Sequence, residues 1–416
     1  MTGTSERASV PAAGAATRIA VLGVHGGRVA PEAEHLLRDA RLVVGGRRQL
    51  EALAPAGAER VAITADLGPA VAALDGCAGG ACVLASGDPG FFGIVRVLRE
   101  RLGGDRLDVH PAPSSVAVAF ARVGTPWDDA LVVSAHARRP EAALHVAMRH
   151  PKVAILTDRS APPAWFARRL VGHRERMTVA ERLGEPGERV VTGSPEELAG
   201  LDAADPNVVL VWDEDAPGAG RSPMAPPRPG ADGWALPEDA FEHRAGMVTK
   251  REVRAVALAR LGPGVGDLIW DVGCHSGSVA IEAARLGAAA IGVDHDPEAV
   301  ALARRNAAAH GVRVRLLEGA APAILADLPD PDGAFVGGGG TDLADVLDVC
   351  ARRARRVVVV TLAVVERAGP ALDRLRAAGL EADAVMVNAS RLRPMPGGHR
   401  LAPENPVVVV TGRRRA

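Results

Sequence analysis

The sequence predicts an α/β protein built of two linked parts, and three observations carry that expectation. Short β-branched apolar runs alternate with Ala/Leu/Arg-rich amphipathic stretches along the chain, the pattern of parallel strands covered on both faces by helices. The stretch DEDAPGAGRSPMAPPRPGADGWALPEDAF, residues 213–241, carries six prolines among glycines and has no apolar period, so it reads as a linker. Beyond it, LIWDVGCHSGSVAIEAARL (268–286) runs from a strand through glycines into a helix, the turn that brings backbone N–H groups to a cofactor.

In chain order, residues 1–17 read as a loose tail with no apolar signal segment. A first part, 18–214, has strands expected at 18–24, 41–46, 81–86, 131–136, 153–158 and 207–212. The linker is placed at 215–242 and a second part at 243–416, with strands at 268–273, 289–294, 312–319, 333–338, 356–362, 382–388 and 406–412. In such sheets ligands bind beyond the carboxyl ends of the strands, so functional residues are sought there.

Composition narrows the function. The 416 residues have a formal net charge of −1 and 3% aromatics with no Tyr, so neither nucleic acid nor an anionic membrane is an expected partner. No apolar run reaches membrane-span length. The cysteines Cys77, Cys82, Cys274 and Cys350 form no C-x-x-C pair and no His cluster has zinc spacing, so no metal site is expected and the chain reads as soluble, reduced and cytoplasmic.

The second part holds the stronger motif. Asp271 ends the strand before Gly273 and Gly277, and Asp294 ends the next strand. A carboxylate at 271 would repel a pyrophosphate but suits the cationic amino-acid end of S-adenosylmethionine (SAM), and an acid at 294 can grip a ribose diol. Asp296 is the expected N-cap of the following helix, with Pro297 at its first position. In the first part, SGDPGFF (86–92) is a tight strand-to-helix turn, and Ser114 and Ser115 precede another helix as N-caps or ligands.

On these residues the second part resembles a class I SAM-dependent methyltransferase of doubly wound, Rossmann-like fold. GMVTKREVRAVALARL (246–261), EGAAPAIL (318–325), AFVGGGGTDLADVLD (334–348) and NASRLRPMPGGHRLAPENPVVVVTG (388–412) are similar to the C15-methylating, decarboxylating precorrin methyltransferases. The resemblance implies a SAM site at Thr249, Asp271, Gly273, Cys274, His275, Ser276, Gly277, Asp294 and Ala321, with Ala320 where the family favours an acid and Gly337 to Gly340 bordering the cleft. His275 stands where the family usually has Gly, either as a proton carrier facing substrate or as a residue tolerating a backbone conformation suited to Gly.

The first part resembles the tetrapyrrole methylase family, nearest its C5-methylating precorrin branch, through 83–98, 111–138, TGSPEEL (192–198) and PNVVLVW (206–212). That implies two α/β subdomains dividing near Pro111 and a second SAM site at Ser86, Gly87, Asp88, Pro89, Phe91, Phe92, Ser114 and Ser115. The family's first loop, Val-Gly-x-Gly-Pro-Gly, appears here as VLGVHGGRVAP (21–31), with His25 at a usual Gly as a substrate-bordering or solvent-facing side chain.

Together the resemblances imply methylation of a precorrin at C5 and C15, with decarboxylation of the C12 acetate, in cobalamin biosynthesis. SAM would serve once in each part, and the protein is expected to form a homo-oligomer. Arg138, Arg391, Arg393 and Arg400 are candidate clamps for the substrate's carboxylates. Asn388, Ser390, Glu404 and Asn405 are candidates to border its pocket, and no dedicated catalytic acid is assigned. The alternatives are an NAD oxidoreductase, disfavoured by Asp271, an RNA methyltransferase, disfavoured by charge, and a first half that only binds the tetrapyrrole.

Overall fold

Each apolar run read as a strand forms one in the structure, a computed structural model that describes residues 18–64, 66–135, 139–213, 234–244, 247–338 and 340–415. The first sheet contains β1 (Ile19–Val24), β2 (Leu42–Gly45), β3 (Glu59–Ala62), β4 (Ala81–Ser86) and β5 (Leu107–His110), in the order β3-β2-β4-β1-β5. All its pairings are parallel. Its central strands are apolar and buried, whereas the edge strands β3, ERVA, and β5, LDVH, mix polar with apolar residues, as edges do. That mixture hid them from a search for apolar runs.

The second sheet contains β6 (Leu131–Ser134), β7 (Lys152–Leu156), β8 (Met177–Glu181), β9 (Arg189–Gly193) and β10 (Asn207–Trp212), in the order β6-β7-β10-β8-β9. The third contains β11 (Leu268–Val272), β12 (Ala289–Asp294), β13 (Arg315–Glu318), β14 (Gly333–Gly337), β15 (Val357–Leu362), β16 (Glu381–Val387) and, after the hairpin β17 (Ser390–Met395) and β18 (Gly398–Pro403), β19 (Val407–Arg413). Its order is β13-β12-β11-β14-β15-β19-β16. The strands β11 to β15 pair in parallel, but β19 is antiparallel to both β15 and β16. The wholly parallel expectation fails there because only a hairpin, with no crossover helix, separates β16 from β19. The chain runs outward from β11 to β13 and returns at β14, which makes the β11–β14 boundary a topological switch point.

Two compact units divide these residues, one reaching Pro126 and adding Ala180–Val191 and Ala204–Val208, the other holding the rest. Within the second unit the helix Pro140–Arg149 packs beside the third sheet. His145, 1% exposed, has Nδ1 at 2.9 Å from the Gly266 carbonyl and 3.3 Å from Asp332. Asp332 also accepts from Arg139 at 3.1 Å and from the Leu268 N–H at 2.9 Å. Burial alone would raise the Asp332 pKa, but these donors outweigh it and hold the carboxyl well below the usual range.

The expected linker is packed at its far end, which corrects its boundary. Leu236 and Phe241 are buried in the core beside the helix Ser278–Arg285. The N–H groups of Ala235 and Leu236 donate to the Glu282 carboxylate, which pairs with Arg254 at 2.7 Å, both side chains fully buried. Two large apolar side chains anchor a stretch whose Pro/Gly average reads as open. The rest of that linker, 215–233, and the tail 1–17 lie outside the described residues.

Candidate functional site

The glycine loop leaves β11 at Gly273 and enters the helix Ser278–Arg285 after Gly277. Gly273 and Gly277 both have φ +73°, in the left-handed region. A Cβ on Gly273 would lie 3.1 Å from the Gly337 carbonyl oxygen, so any side chain there would press into the neighbouring strand end. His275 itself has φ +43°, which agrees with the reading that the family's Gly served a backbone conformation. Its N–H donates to Asp294 at 2.9 Å, and the Asp296 N–H donates to the other Asp294 oxygen at 3.0 Å. Asp296 caps the helix Pro297–Ala309 as expected.

A cleft of about 680 Å³ runs along the carboxyl ends of four adjacent strands. It is lined by Gly319 to Ala321 after β13, Asp294 at the end of β12, Gly273 and His275 after β11, and Gly337 and Gly340 after β14. The protein thus brings together Gly273, His275, Asp294 and Ala321 of the expected SAM site. The donor set suits SAM: a buried acid at a strand end, backbone free of side chains at Gly273, and orphaned polar atoms in the loop. The Ser276 hydroxyl and both His275 ring nitrogens are buried without a hydrogen-bond partner among the described residues.

Asp271 is placed differently. It is 1% exposed, off the cleft lining, and accepts from the Ala280 N–H at 2.9 Å. Burial pushes its carboxyl up to about 7, against the lowering effect of that N–H. The acid supports the start of the helix from beneath. Cys274 packs against Gly292, burial raising its thiol above the usual range. Thr249 is also off the lining, and its carbonyl accepts from Arg254 at 2.5 Å.

The expected substrate clamps are dispersed. Arg138 lies outside the described residues. Arg391 is held by Glu252 at 2.7 Å and Glu238 at 3.0 Å, with Glu404 at 3.7 Å, so neighbouring acids already neutralise it. Glu252 and Glu238 are distant in sequence, which is why the sequence showed a free cation. Arg393 and Arg400 face each other across the hairpin β17–β18, exposed and without a partner among the described residues. Ser390 begins that hairpin, Asn388, Glu404 and Asn405 flank it, and none of them lines the cleft.

The first unit has its own pocket of about 340 Å³, lined by His25, Gly26, Ser86, Gly87 and Ser115 together with residues 180–186 and 206–208 in part. Gly87 has φ +65°, and a Cβ on Gly23 would meet the Ala112 nitrogen at 2.4 Å, so the strand ends close only on hydrogen. Gln49 donates to the Ser86 hydroxyl at 2.8 Å. The two serines divide the roles proposed for them. Ser114 caps the helix Ser115–Val123 by accepting from the Ala117 N–H, and Ser115 lines the pocket.

Asp88, Pro89, Phe91 and Phe92 are not on that lining; Asp88 accepts from the Gly90 N–H at 2.8 Å, and Phe91 and Phe92 pack edge to face. In the altered first loop, Gly26 and Gly27 have φ +59° and +71°, the combination of a type I′ turn. His25 and Arg28 close this turn through two backbone hydrogen bonds. His25 is half-buried with its ring against Gly184, which corrects its solvent-facing reading. Sequence reasoning missed the Arg48–Glu185 ion pair on the same pocket, 2.8 Å long and formed across 137 positions. No local signal marks such a pair.

Comparison with known proteins supplies two family matches. Residues 25–199 match the Tetrapyrrole (Corrin/Porphyrin) Methylases, and residues 239–414 match the Precorrin methyltransferase domain. A precorrin-6Y C(5,15)-methyltransferase [decarboxylating] of a Sinorhizobium species is 38% identical over 335 residues, covering 75% of each chain. Its counterpart from Mycobacterium tuberculosis is 34% identical, over 76% of this chain and 78% of that one. A probable cobalt-precorrin-6B C(15)-methyltransferase (decarboxylating) of Pyrobaculum calidifontis is 36% identical over 42% of this chain and 94% of its own. A solved structure of a precorrin-6y C5,15-methyltransferase from Geobacter metallireducens is 30% identical, with a TM-score of 0.41, over 44% of this chain and 99% of that one.

Proposed function

The chain belongs to the precorrin-6Y C5,15-methyltransferase (decarboxylating) family, and we propose on that premise that it methylates a precorrin at C5 and C15 and decarboxylates the C12 acetate, as an enzyme of cobalamin biosynthesis. Residues 18–214 are assigned the C5 step. Residues 243–416, together with the packed segment from 234, are assigned the C15 step and the loss of carbon dioxide. The two separate family matches support this division.

One SAM site per part is proposed. Asp294 would hold the ribose, Ala321 would border the adenine, and Gly273 and His275 would meet the amino-acid end. In the first part Ser86, Gly87 and Ser115 would do the corresponding work. SAM, when bound, supplies an electrophilic methyl group. The chain's own contribution is orientation and exclusion of water, and orientation can supply roughly 7–11 kcal/mol of barrier lowering.

The observation that carries the reading is the convergence of Gly273, Asp294 and Ala321 on one cleft at the carboxyl ends of β11, β12 and β13, beside the switch point of the third sheet. A tetrapyrrole is the proposed partner and nucleic acid is not, an assignment supported by the net charge of −1. No described helix is long and apolar enough to cross a membrane. Four free cysteines support a cytoplasmic location. Leu392 and Leu401, 68% and 66% exposed and paired across the β17–β18 hairpin, support a homo-oligomer.

The deciding experiment is mass measurement of a precorrin-6-type substrate after incubation with SAM and the chain. Gain of two methyl groups with loss of one carbon dioxide is the expected result. An unchanged mass would refute the reading.

A further inference from the structure

We propose that the groove between the helices Leu343–Arg353 and Ala368–Ala377 is the acceptor site of the C-terminal part. It would receive one edge of the carboxylate-bearing tetrapyrrole, with Arg367 as the clamp for a peripheral carboxylate. This rests on the functional reading above and names the substrate side of that same site.

Position is the first argument. The residues expected to hold SAM follow β13, β12 and β11, so they occupy one side of the switch point. The acceptor must reach the same cleft from the other side, over β14 and β15. There a groove of about 430 Å³ begins at Gly340 and Thr341, which it shares with the cleft, and continues to Val364 and Arg367 beyond β15. Cleft and groove therefore adjoin at Gly340 and Thr341, beside the carboxyl ends of β14 and β15.

Chemistry is the second. The groove's apolar floor is formed by Leu343, Leu347 and Ala371, all buried, and Val364, 48% exposed, stands at its edge. A flat, largely apolar macrocycle covers such a surface, and an exposed valine at the rim adds to the apolar area it can bury. Arg367 donates one N–H to the Gly340 carbonyl at 2.9 Å, and its other donors have no partner among the described residues. That bond fixes the guanidinium beside the cleft and leaves a fork suited to a carboxylate.

The remaining charges do not compete for this role. Arg374 is engaged by Asp348 at 2.6 Å, and Glu366 on the same rim is exposed to water. Arg391 is neutralised, and Arg393 and Arg400 line neither cavity. Among the described residues lining the groove, Arg367 is thus the guanidinium without an acidic partner.

The test uses the full chain with two exposed substitutions, Arg367→Gln and Val364→Asp. Acceptor binding is followed directly by the tetrapyrrole's visible absorbance, and acceptor KM for C15 methylation by mass. Both variants should weaken acceptor binding and raise its KM by about tenfold or more, with SAM affinity measured by calorimetry unchanged within about twofold. Unchanged acceptor binding and KM in both folded variants would overturn the groove assignment. So would a Val364→Asp variant that alters only the oligomeric state, which would mark the groove as a contact between copies. If the unaltered chain binds SAM but transfers nothing to a precorrin, the functional reading falls, and the groove assignment falls with it.

Discussion

The two glycine-rich loops, one in each unit, both carry histidine where the families they resemble usually have glycine, and they accommodate it in opposite ways. In the first, the left-handed conformations fall on Gly26 and Gly27, and His25 closes the turn in an ordinary conformation with its ring on the pocket wall. In the second, His275 is itself left-handed, a conformation costing roughly 1–2 kcal/mol for a residue with a Cβ. The difference teaches that a motif position encodes a backbone angle before it encodes a side chain. Both histidines line a pocket; where adjacent glycines take the left-handed angle the histidine keeps an ordinary conformation, and where the angle falls on the histidine it is strained.

The largest contrast lies beneath the loops. Only the second rests on a buried acid shifted upward, Asp271, with a folded pKa of about 7 against about 4 unfolded. The stabilising proton is fully present below about pH 4 and is lost as pH rises through about 7. Asp271→Asn keeps an acceptor for the Ala280 N–H and removes the buried charge. Its gain in stability, up to about 4 kcal/mol, should be larger at pH 8 than at pH 5 by calorimetric melting. Equal gains at both values would mean that the carboxyl does not titrate as its burial requires.

Next in size is Asp294→Ala. It removes the acceptor for the His275 and Asp296 N–H groups as well as the proposed ribose contact. SAM should bind about 10- to 100-fold more weakly at the second site alone, so calorimetric stoichiometry falls from two to one and C5 methylation persists. Loss at both sites together would break the two-site comparison.

The smallest effects test the histidines directly. His275→Gly relieves the left-handed strain and should raise chemical stability by about 0.5–1 kcal/mol after the added entropy of glycine. His25→Gly relieves nothing and should be neutral or cost up to about 1 kcal/mol. Denaturant midpoints decide, and a gain at position 25 with none at 275 would reverse the comparison. If His275→Gly leaves SAM affinity intact but selectively abolishes C15 methylation or decarboxylation, the histidine takes part in the chemistry.

What the sequence made legible was what local chemistry dictates. Gly273, Gly277 and Gly87 were readable because left-handed turns select glycine, and Asp296 and Ser114 because helix caps select short polar side chains. The central strands of the first and third sheets were readable as apolar runs, but the buried interior strand β8 of the second sheet, MTVAE, was not. The edge strands β3 and β5 were not, since half their residues face water, nor was β19 as an antiparallel strand, since its direction depends on a hairpin of exposed residues. Arg391 looked free because Glu238 and Glu252 lie 153 and 139 positions away. The depth of Asp271 was hidden for a similar reason: a strand-end acid can face a cleft or a helix N-terminus, and tertiary packing decides.

The contacts of Asp332 bear on how such chains can be recombined. Its carboxylate takes hydrogen bonds from Arg139 and from the Leu268 N–H, with His145 alongside, so its partners come from both sides of residues 214–233. A hybrid that joined one parent's residues up to 213 to another's from 234 would inherit Asp332 apart from the Arg139 and His145 side chains beside it. The two proposed halves are therefore not freely exchangeable, and a working chimaera is expected to need positions 139, 145 and 332 from a single parent.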